Sequence, residues 1–73
     1  NIMNRKPVIS SNISSIGYDE NSQILEIEFS SGALYQYQNV PLSIYNGLMS
    51  ATSHGQYFDA WVRKGGYSFI RVR

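Results

Sequence analysis

The clearest strand of the chain is marked by alternating apolar and acidic residues. They run in the order Leu25, Glu26, Ile27, Glu28, Phe29. This period of two is typical of a strand with one buried and one hydrated face. Residues 33–39 continue after a Ser-Ser-Gly segment and supply the partner strand. The pattern predicts a β-hairpin over residues 24–40.

The register of this hairpin depends on the length of its loop. A two-residue loop, Ser31-Gly32, would place Tyr35 opposite an acidic residue. A three-residue loop over 30–32 pairs Ile27 with Tyr35 and Leu25 with Tyr37, which separates apolar from polar side chains. It also gives Gly32 the left-handed position of a type I turn followed by a bulge. We therefore predict the three-residue loop, because a slip by one residue would reverse every side chain.

A further strand is predicted before the hairpin, over residues 13–19. The expected pairs join Tyr18 to Leu25, Ile16 to Ile27 and Ser14 to Phe29, with a turn at residues 20–23. The polar segment 1–6 is expected to be loose. Asn1 and Ile2 are interpreted as additions before a natural start at Met3.

Two short helices are predicted after the hairpin. Pro41 suits the first position of a helix, and the stripe that follows has helical spacing over residues 41–51. Ser53 and Gln56 have the form of a capping box, which starts a second helix over 55–64. Its buried stripe is expected to be Phe58, Trp61 and Val62.

The tail, residues 67–73, alternates again and predicts a last strand. Ile70 and Val72 are expected on one face, and Tyr67, Phe69, Arg71 and Arg73 on the other. The predicted fold is an α+β domain: a small antiparallel β-meander with two short helices packed on one face and a C-terminal edge strand, in the order β-β-β-α-α-β.

The length and composition of the chain predict a single small domain over residues 1–73. A chain of 73 residues without cysteine has neither disulfides nor thiolate ligands, so its aromatic residues or oligomerisation must supply the stability. No apolar run approaches the roughly 20 residues of a membrane span. We expect a soluble, cytoplasmic protein with no membrane partner.

The basic residues lie near the two ends of the chain, although the formal net charge is only +1. They are Arg5, Lys6, Arg63, Lys64, Arg71 and Arg73. If the ends meet, one side of the domain is basic. Charges kept for solubility are the alternative.

Several blocks resemble the KTSC domain, a family named from its place at the C-terminus of some lysyl-tRNA synthetases. The blocks are SSNISSIGYD, LEIEFSSGALYQYQNVP and ATSHGQYF, and the central one contains the Tyr-x-Tyr motif, here Tyr35-Gln36-Tyr37. The resemblance covers residues 8–63. It implies a small domain that also stands alone in bacteria and phages. Its function is unknown, and the synthetase context suggests RNA binding.

No residue set predicts catalysis, a cofactor or a metal. The single histidine, His54, has only Asp59 nearby in sequence, at a spacing poorly suited to one helical face, so we interpret it as a loop and capping residue. Glu26 and Glu28 share a strand face but lack a groove, and we interpret them as hydrated surface. Tyr35 and Tyr37 could stack on bases, yet the register predicts a core position.

The tail carries the strongest functional hypothesis. The candidate site combines aromatic and basic side chains: Tyr67, Phe69, Arg71, Arg73, Arg63 and Lys64. Such a set suits sequence-tolerant binding of single-stranded nucleic acid, RNA above all. With about four phosphate contacts, log K would fall with log salt at a slope of roughly −3. A guarded sheet edge and a dimer interface are the structural alternatives.

Two other functions stay open. A homo-oligomer could sequester a nucleotide-type ligand through the same chemistry. The tail strand could instead add to the sheet of a protein partner.

Overall fold

The computed structural model of the chain describes residues 4–73. The proposed start at Met3 lies outside these residues. The elements are β1 (Arg5–Pro7), β2 (Ile13–Asp19), β3 (Ile24–Phe29), β4 (Leu34–Tyr37), α1 (Leu42–Ser50), α2 (His54–Trp61), a 3₁₀ turn (Arg63–Gly65) and β5 (Phe69–Arg71). The predicted α+β class is confirmed, with one strand more than expected.

The five strands form one antiparallel sheet in the order of the chain. The hairpin of β3 and β4 has the predicted register, with Leu25 opposite Tyr37 and Ile27 opposite Tyr35. Gly32 adopts a φ of 96° in the loop, which confirms its left-handed position. Segregation of apolar from polar side chains therefore identified the register correctly.

The pairing of β2 with β3 departs from the prediction at one end. Tyr18 lies opposite Leu25 and Ile16 opposite Ile27, as predicted. The predicted pair of Ser14 with Phe29 is wrong, because a bulge between Ile13 and Ser15 places Ile13 opposite Phe29. The bulge turns Ile13 into the core, where it is 1% exposed.

The N-terminal segment forms a strand from Arg5 onward, whereas the sequence predicted a loose segment over 1–6. β1 pairs with β2 and places Arg5 opposite Gly17. Gly17 lies in turn opposite Glu26 of β3. Because Gly17 has no side chain, Arg5 can cross β2 and bind the Glu26 carboxylate. This ion pair explains why a short polar segment joins the sheet.

Both helices cover the same face of the sheet. Ser53 caps α2 by accepting a hydrogen bond from the Gln56 amide, which confirms the predicted cap, and the helix begins at His54, one residue before the predicted start. The helix ends at Trp61, earlier than predicted, and the 3₁₀ turn closes at Gly66 with a φ of 82°. Gly47 of α1 gives space to Tyr57, since a Cβ at residue 47 would lie 2.1 Å from the Tyr57 hydroxyl.

The core lies between the helices and the inner face of β2, β3 and β4. Its fully buried members are apolar: Ile13, Ile16, Leu25, Ile27, Val40, Leu48 and Val62. Phe58 is buried as predicted, but Trp61 is 57% exposed and packs against Tyr57. Val62 is 1% exposed, as predicted, so Trp61 is the member of the predicted stripe that departs from the prediction. Neither helix has the length and apolar character needed to cross a bilayer, as far as residues 4–73 show.

Candidate functional site

β5 occupies one edge of the sheet and brings the tail residues beside β4. Tyr35 lies opposite Arg71, and Tyr37 lies opposite Phe69. Since these positions alternate with Gln36 and Ile70, the four side chains share the face that the helices cover. The helices do not extend over the outermost strand, and Phe69 is left 56% exposed.

Three rings meet where β4 and β5 pair. The Phe69 centroid lies 5.8 Å from that of Tyr35 and 5.4 Å from that of Tyr37, and the two tyrosine rings stack at 6.3 Å. The Arg71 guanidinium lies over the Tyr35 ring, 6.0 Å from its centroid, within the range of a cation–π contact. We call Tyr35, Phe69 and Arg71 the aromatic–arginine surface.

The two tyrosines of the Tyr-x-Tyr motif have different roles. Tyr37 is 5% exposed and packs edge-on against Phe58, so its predicted core position is confirmed. Tyr35 is half-buried and contributes to the surface. The alternation placed both rings on one face, but it could not show that Tyr35 stands nearer the uncovered edge.

Arg63 and Lys64 follow α2 and form ion pairs with Asp59. The Asp59 carboxylate accepts a hydrogen bond from Nε of Arg63 at 2.5 Å, and its other oxygen lies 3.4 Å from Nζ of Lys64. The Arg63 guanidinium is the main cause that lowers the pKa of Asp59. Burial raises the pKa of Tyr37, and Arg63 partly opposes this rise. Arg63 thus follows the helix whose Phe58 packs on Tyr37, and its place in a shared binding site stays a prediction.

Two residues of the predicted site lie elsewhere. Arg73 was expected on the face of Phe69, but its guanidinium binds Glu28 at 2.7 Å and the Gly32 carbonyl at 3.3 Å, on the opposite face. The strand ends at Arg71, so the alternation does not extend to residue 73. Tyr67 is partly buried and packs beside Gly65 and the core, which limits its use as a stacking platform.

The helix-free face carries a chain of polar contacts instead of the hydrated surface that we predicted for Glu26 and Glu28. Glu26 is only 4% exposed; it binds Arg5 and accepts from the Gln36 amide at 2.8 Å. Arg5 donates to Ser15 at 3.0 Å, and Ser15 donates to Glu28 at 2.8 Å. The Ser15 hydroxyl is the main cause that lowers the pKa of Glu28. Every polar group in this row has a partner, which suits a structural network.

No group of side chains in residues 4–73 is arranged to bind a metal ion. The Nδ1 atom of His54 lies 2.8 Å from the Leu48 carbonyl oxygen and joins the start of α2 to the end of α1. An open polar cleft lies between the loop before β2 and the start of α2, and it is lined by Asn12, Gln56 and Asp59. This cleft includes no residue of the aromatic–arginine surface.

A family model and a solved structure point to the same protein family. The KTSC domain family model matches residues 9–67. An uncharacterized protein of Stutzerimonas stutzeri is 43% identical over 70 residues, covering 96% of this chain and 99% of that protein. The crystal structure of a KTSC domain protein from Yersinia pestis has a TM-score of 0.90 at 43% identity, covering 99% of this chain and 100% of that chain.

Part of a much longer protein is also similar. A lysine–tRNA ligase of Nostoc punctiforme is 41% identical over 60 residues, which is 82% of this chain but 10% of the ligase. The resemblance deduced from the three sequence blocks is thus confirmed by sequence and by structure. The chain belongs to the KTSC domain family.

Proposed function

We propose that this domain is a non-enzymatic module that binds single-stranded nucleic acid, RNA first of all, through the aromatic–arginine surface. Phe69 and Tyr35 stack on bases, and Arg71, Arg63 and Lys64 bind phosphates. This combination of flat rings and cations tolerates many sequences, because every base has a stacking face and every nucleotide has a phosphate.

The observation that carries the proposal is the position of Arg71 above Tyr35 and next to the exposed ring of Phe69. The exposed part of the Phe69 ring is an apolar surface on which a base can stack, and stacking removes that surface from water. An arginine above an aromatic ring is already oriented by that ring, so it loses less rotamer freedom when it binds a phosphate.

Arg63 and Lys64 are available to a ligand despite their ion pairs with Asp59. Their side chains are 66% and 69% exposed, and exposed ion pairs contribute little to stability. A phosphate can therefore replace Asp59 as their partner at small cost. Arg73 binds Glu28 on the other face and does not belong to this surface.

The relatives provide a second, weaker reason. The matched segment of the Nostoc punctiforme protein belongs to a ligase that takes tRNA, according to its name. A domain fused to such an enzyme has an RNA within reach. This context favours RNA over other polyanions.

The test is a fluorescence anisotropy titration with labelled single-stranded RNA of mixed sequence, about 12 nucleotides long, repeated at several salt concentrations. With three phosphate contacts, log K is expected to fall with log salt at a slope of roughly −2. This slope is shallower than the value expected with Arg73 included. A protein that shows no affinity for this RNA at low salt would rule the proposal out.

A further inference from the structure

The edge strand β5 and the residue after it expose apolar side chains on both faces of the sheet. Phe69, Ile70 and Val72 are 56%, 50% and 50% exposed, and they form the largest concentration of exposed apolar side chains in the described residues. Phe69 lies on the helix-covered face, and Ile70 lies on the other face opposite Gln36. Within residues 4–73, no strand pairs with the outer edge of β5.

The backbone of β5 directs a set of hydrogen-bonding groups away from the sheet. The Ser68 carbonyl accepts from Gln38 at 2.8 Å, and the Val72 amide donates to Leu34 at 2.6 Å. In an antiparallel ladder these directions alternate along the strand. The amides and carbonyls of Phe69 and Arg71 therefore point outward, where they can pair with another strand.

We propose that this edge pairs with β5 of a second copy of the chain, antiparallel and about a two-fold axis at Ile70. In this register Phe69 lies opposite the partner's Arg71, and the reverse pair follows from the symmetry. Both pairs use the outward-pointing groups, so four backbone hydrogen bonds form. The two sheets join into one continuous sheet.

The side chains of β5 are complementary to themselves in this register. Arg71 meets the partner's Phe69, which repeats the contact that Arg71 makes with Tyr35 inside one copy. On the opposite face, Ile70 meets the partner's Ile70. A shift of the register by two residues in one direction would place Arg71 against the partner's Arg71, where like charges repel. The same shift in the other direction would pair Phe69 with the partner's Phe69 and Ile70 with the partner's Ser68. It would lose the two contacts of Arg71 with Phe69 and the contact between the two copies of Ile70.

A second copy also answers a general need of so short a chain. A domain of this length buries a smaller share of its surface than larger domains do, and it has no disulfide to compensate. Pairing at β5 buries the two copies of Ile70 against each other on the helix-free face. It also brings the two aromatic–arginine surfaces side by side on one sheet.

Cysteine cross-linking tests the register directly, because the chain contains no cysteine. The two copies of Ile70 form a non-hydrogen-bonded pair with Cα atoms roughly 4.5 Å apart, within the usual range for a disulfide. The two copies of Val72 are about 13 Å apart from the strand rise. Under mild oxidation, Ile70→Cys is expected to form a covalent dimer, and Val72→Cys is expected to remain a monomeric thiol on denaturing gels.

Analytical ultracentrifugation of the unmodified protein and of Ile70→Lys provides a test without a new cysteine. The lysine places like charges across the two-fold axis, so the dissociation constant of the dimer is expected to rise roughly tenfold or more. Val72→Lys is the matched control, since it has the same exposure on the same face but lies opposite the partner's Ser68. Its dissociation constant is expected to stay within about threefold of the unmodified protein.

A protein that sediments as a monomer up to high micromolar concentration would overturn the proposal, and the arginines of the edge would then serve to prevent association. Preferential cross-linking through Val72→Cys, or equal cross-linking of both variants, would also overturn it. None of these experiments includes RNA in the sample. Their result is therefore independent of the proposed nucleic-acid binding.

Discussion

Arg71 of β5 lies over the ring of Tyr35 on the neighbouring strand β4, with its guanidinium 6.0 Å from the ring centroid. The two residues are directly opposite in the register. The contact places a cation at the β5 edge of the sheet, on the strand that also carries the exposed ring of Phe69.

Phe69→Ala is expected to weaken RNA binding while leaving the fold stable. Loss of the ring on which one base stacks weakens the binding free energy by about 1–3 kcal/mol, which raises Kd roughly fivefold to 150-fold. The Phe69 ring is 56% exposed, so its removal creates no buried cavity. Anisotropy titrations measure the affinity, and thermal melts followed by circular dichroism measure the stability.

Trp61→Ala is the matched control for this substitution. Trp61 is 57% exposed, and its ring packs on Tyr57 of α2. Its replacement is expected to change Kd by less than about twofold. If the two alanine variants lose the same affinity, the RNA does not stack on Phe69 and the candidate site is misplaced.

Arg5→Ala is expected to destabilise the domain by about 3 kcal/mol, because it leaves the buried carboxylate of Glu26 without its cation. Lys6 is the adjacent basic residue of β1 and is exposed, so Lys6→Ala should change the free energy of unfolding by less than about 0.5 kcal/mol. Urea denaturation at neutral pH measures both values. Equal stability of the two variants would contradict the role that we assign to the ion pair of Arg5 and Glu26.

The pH dependence of stability should reveal the hydrogen bond from Ser15 to Glu28. This bond is the main cause that lowers the pKa of Glu28 below its usual value of 4.5. The folded state therefore binds fewer protons than the unfolded state at this group, and its contribution is present above pH 4.5 and lost as the pH falls through the folded pKa. Urea midpoints measured between pH 6 and pH 3 should fall more steeply for the unmodified protein than for Glu28→Gln.

Glu20→Gln is the control, since Glu20 is an exposed carboxylate in the turn between β2 and β3. The urea midpoint of Glu20→Gln should change with pH in the same way as that of the unmodified protein. A Glu28→Gln curve that also follows the unmodified protein would show that the network does not favour the charged carboxylate.

Much of the fold could be predicted because the sequence separates apolar from polar residues with a clear period. The pairs of Leu25 with Tyr37 and of Ile16 with Ile27 followed from this separation alone. The start of α2 followed from Ser53 and Gln56, since capping depends on residues that are close in sequence.

The remaining features depend on contacts between residues that are far apart in sequence. β1 has no apolar pattern, and it joins the sheet because Arg5 reaches Glu26 across Gly17. Arg73 leaves the predicted face because β5 ends before it and Glu28 attracts it. Trp61 is 57% exposed although it has helical spacing from the buried Phe58. None of these partners can be identified from local spacing.

The comparison of Arg71→Ala with Arg73→Ala in the RNA titration tests the central claim most directly. Both substitutions remove one arginine from the same tail, but only Arg71 lies on the aromatic–arginine surface. We predict that Arg71→Ala raises Kd about fivefold to tenfold and makes the salt slope shallower by roughly 0.7, whereas Arg73→Ala leaves both nearly unchanged. Equal losses of affinity and slope in the two variants would show that the tail binds RNA only through its net charge, and would contradict the account.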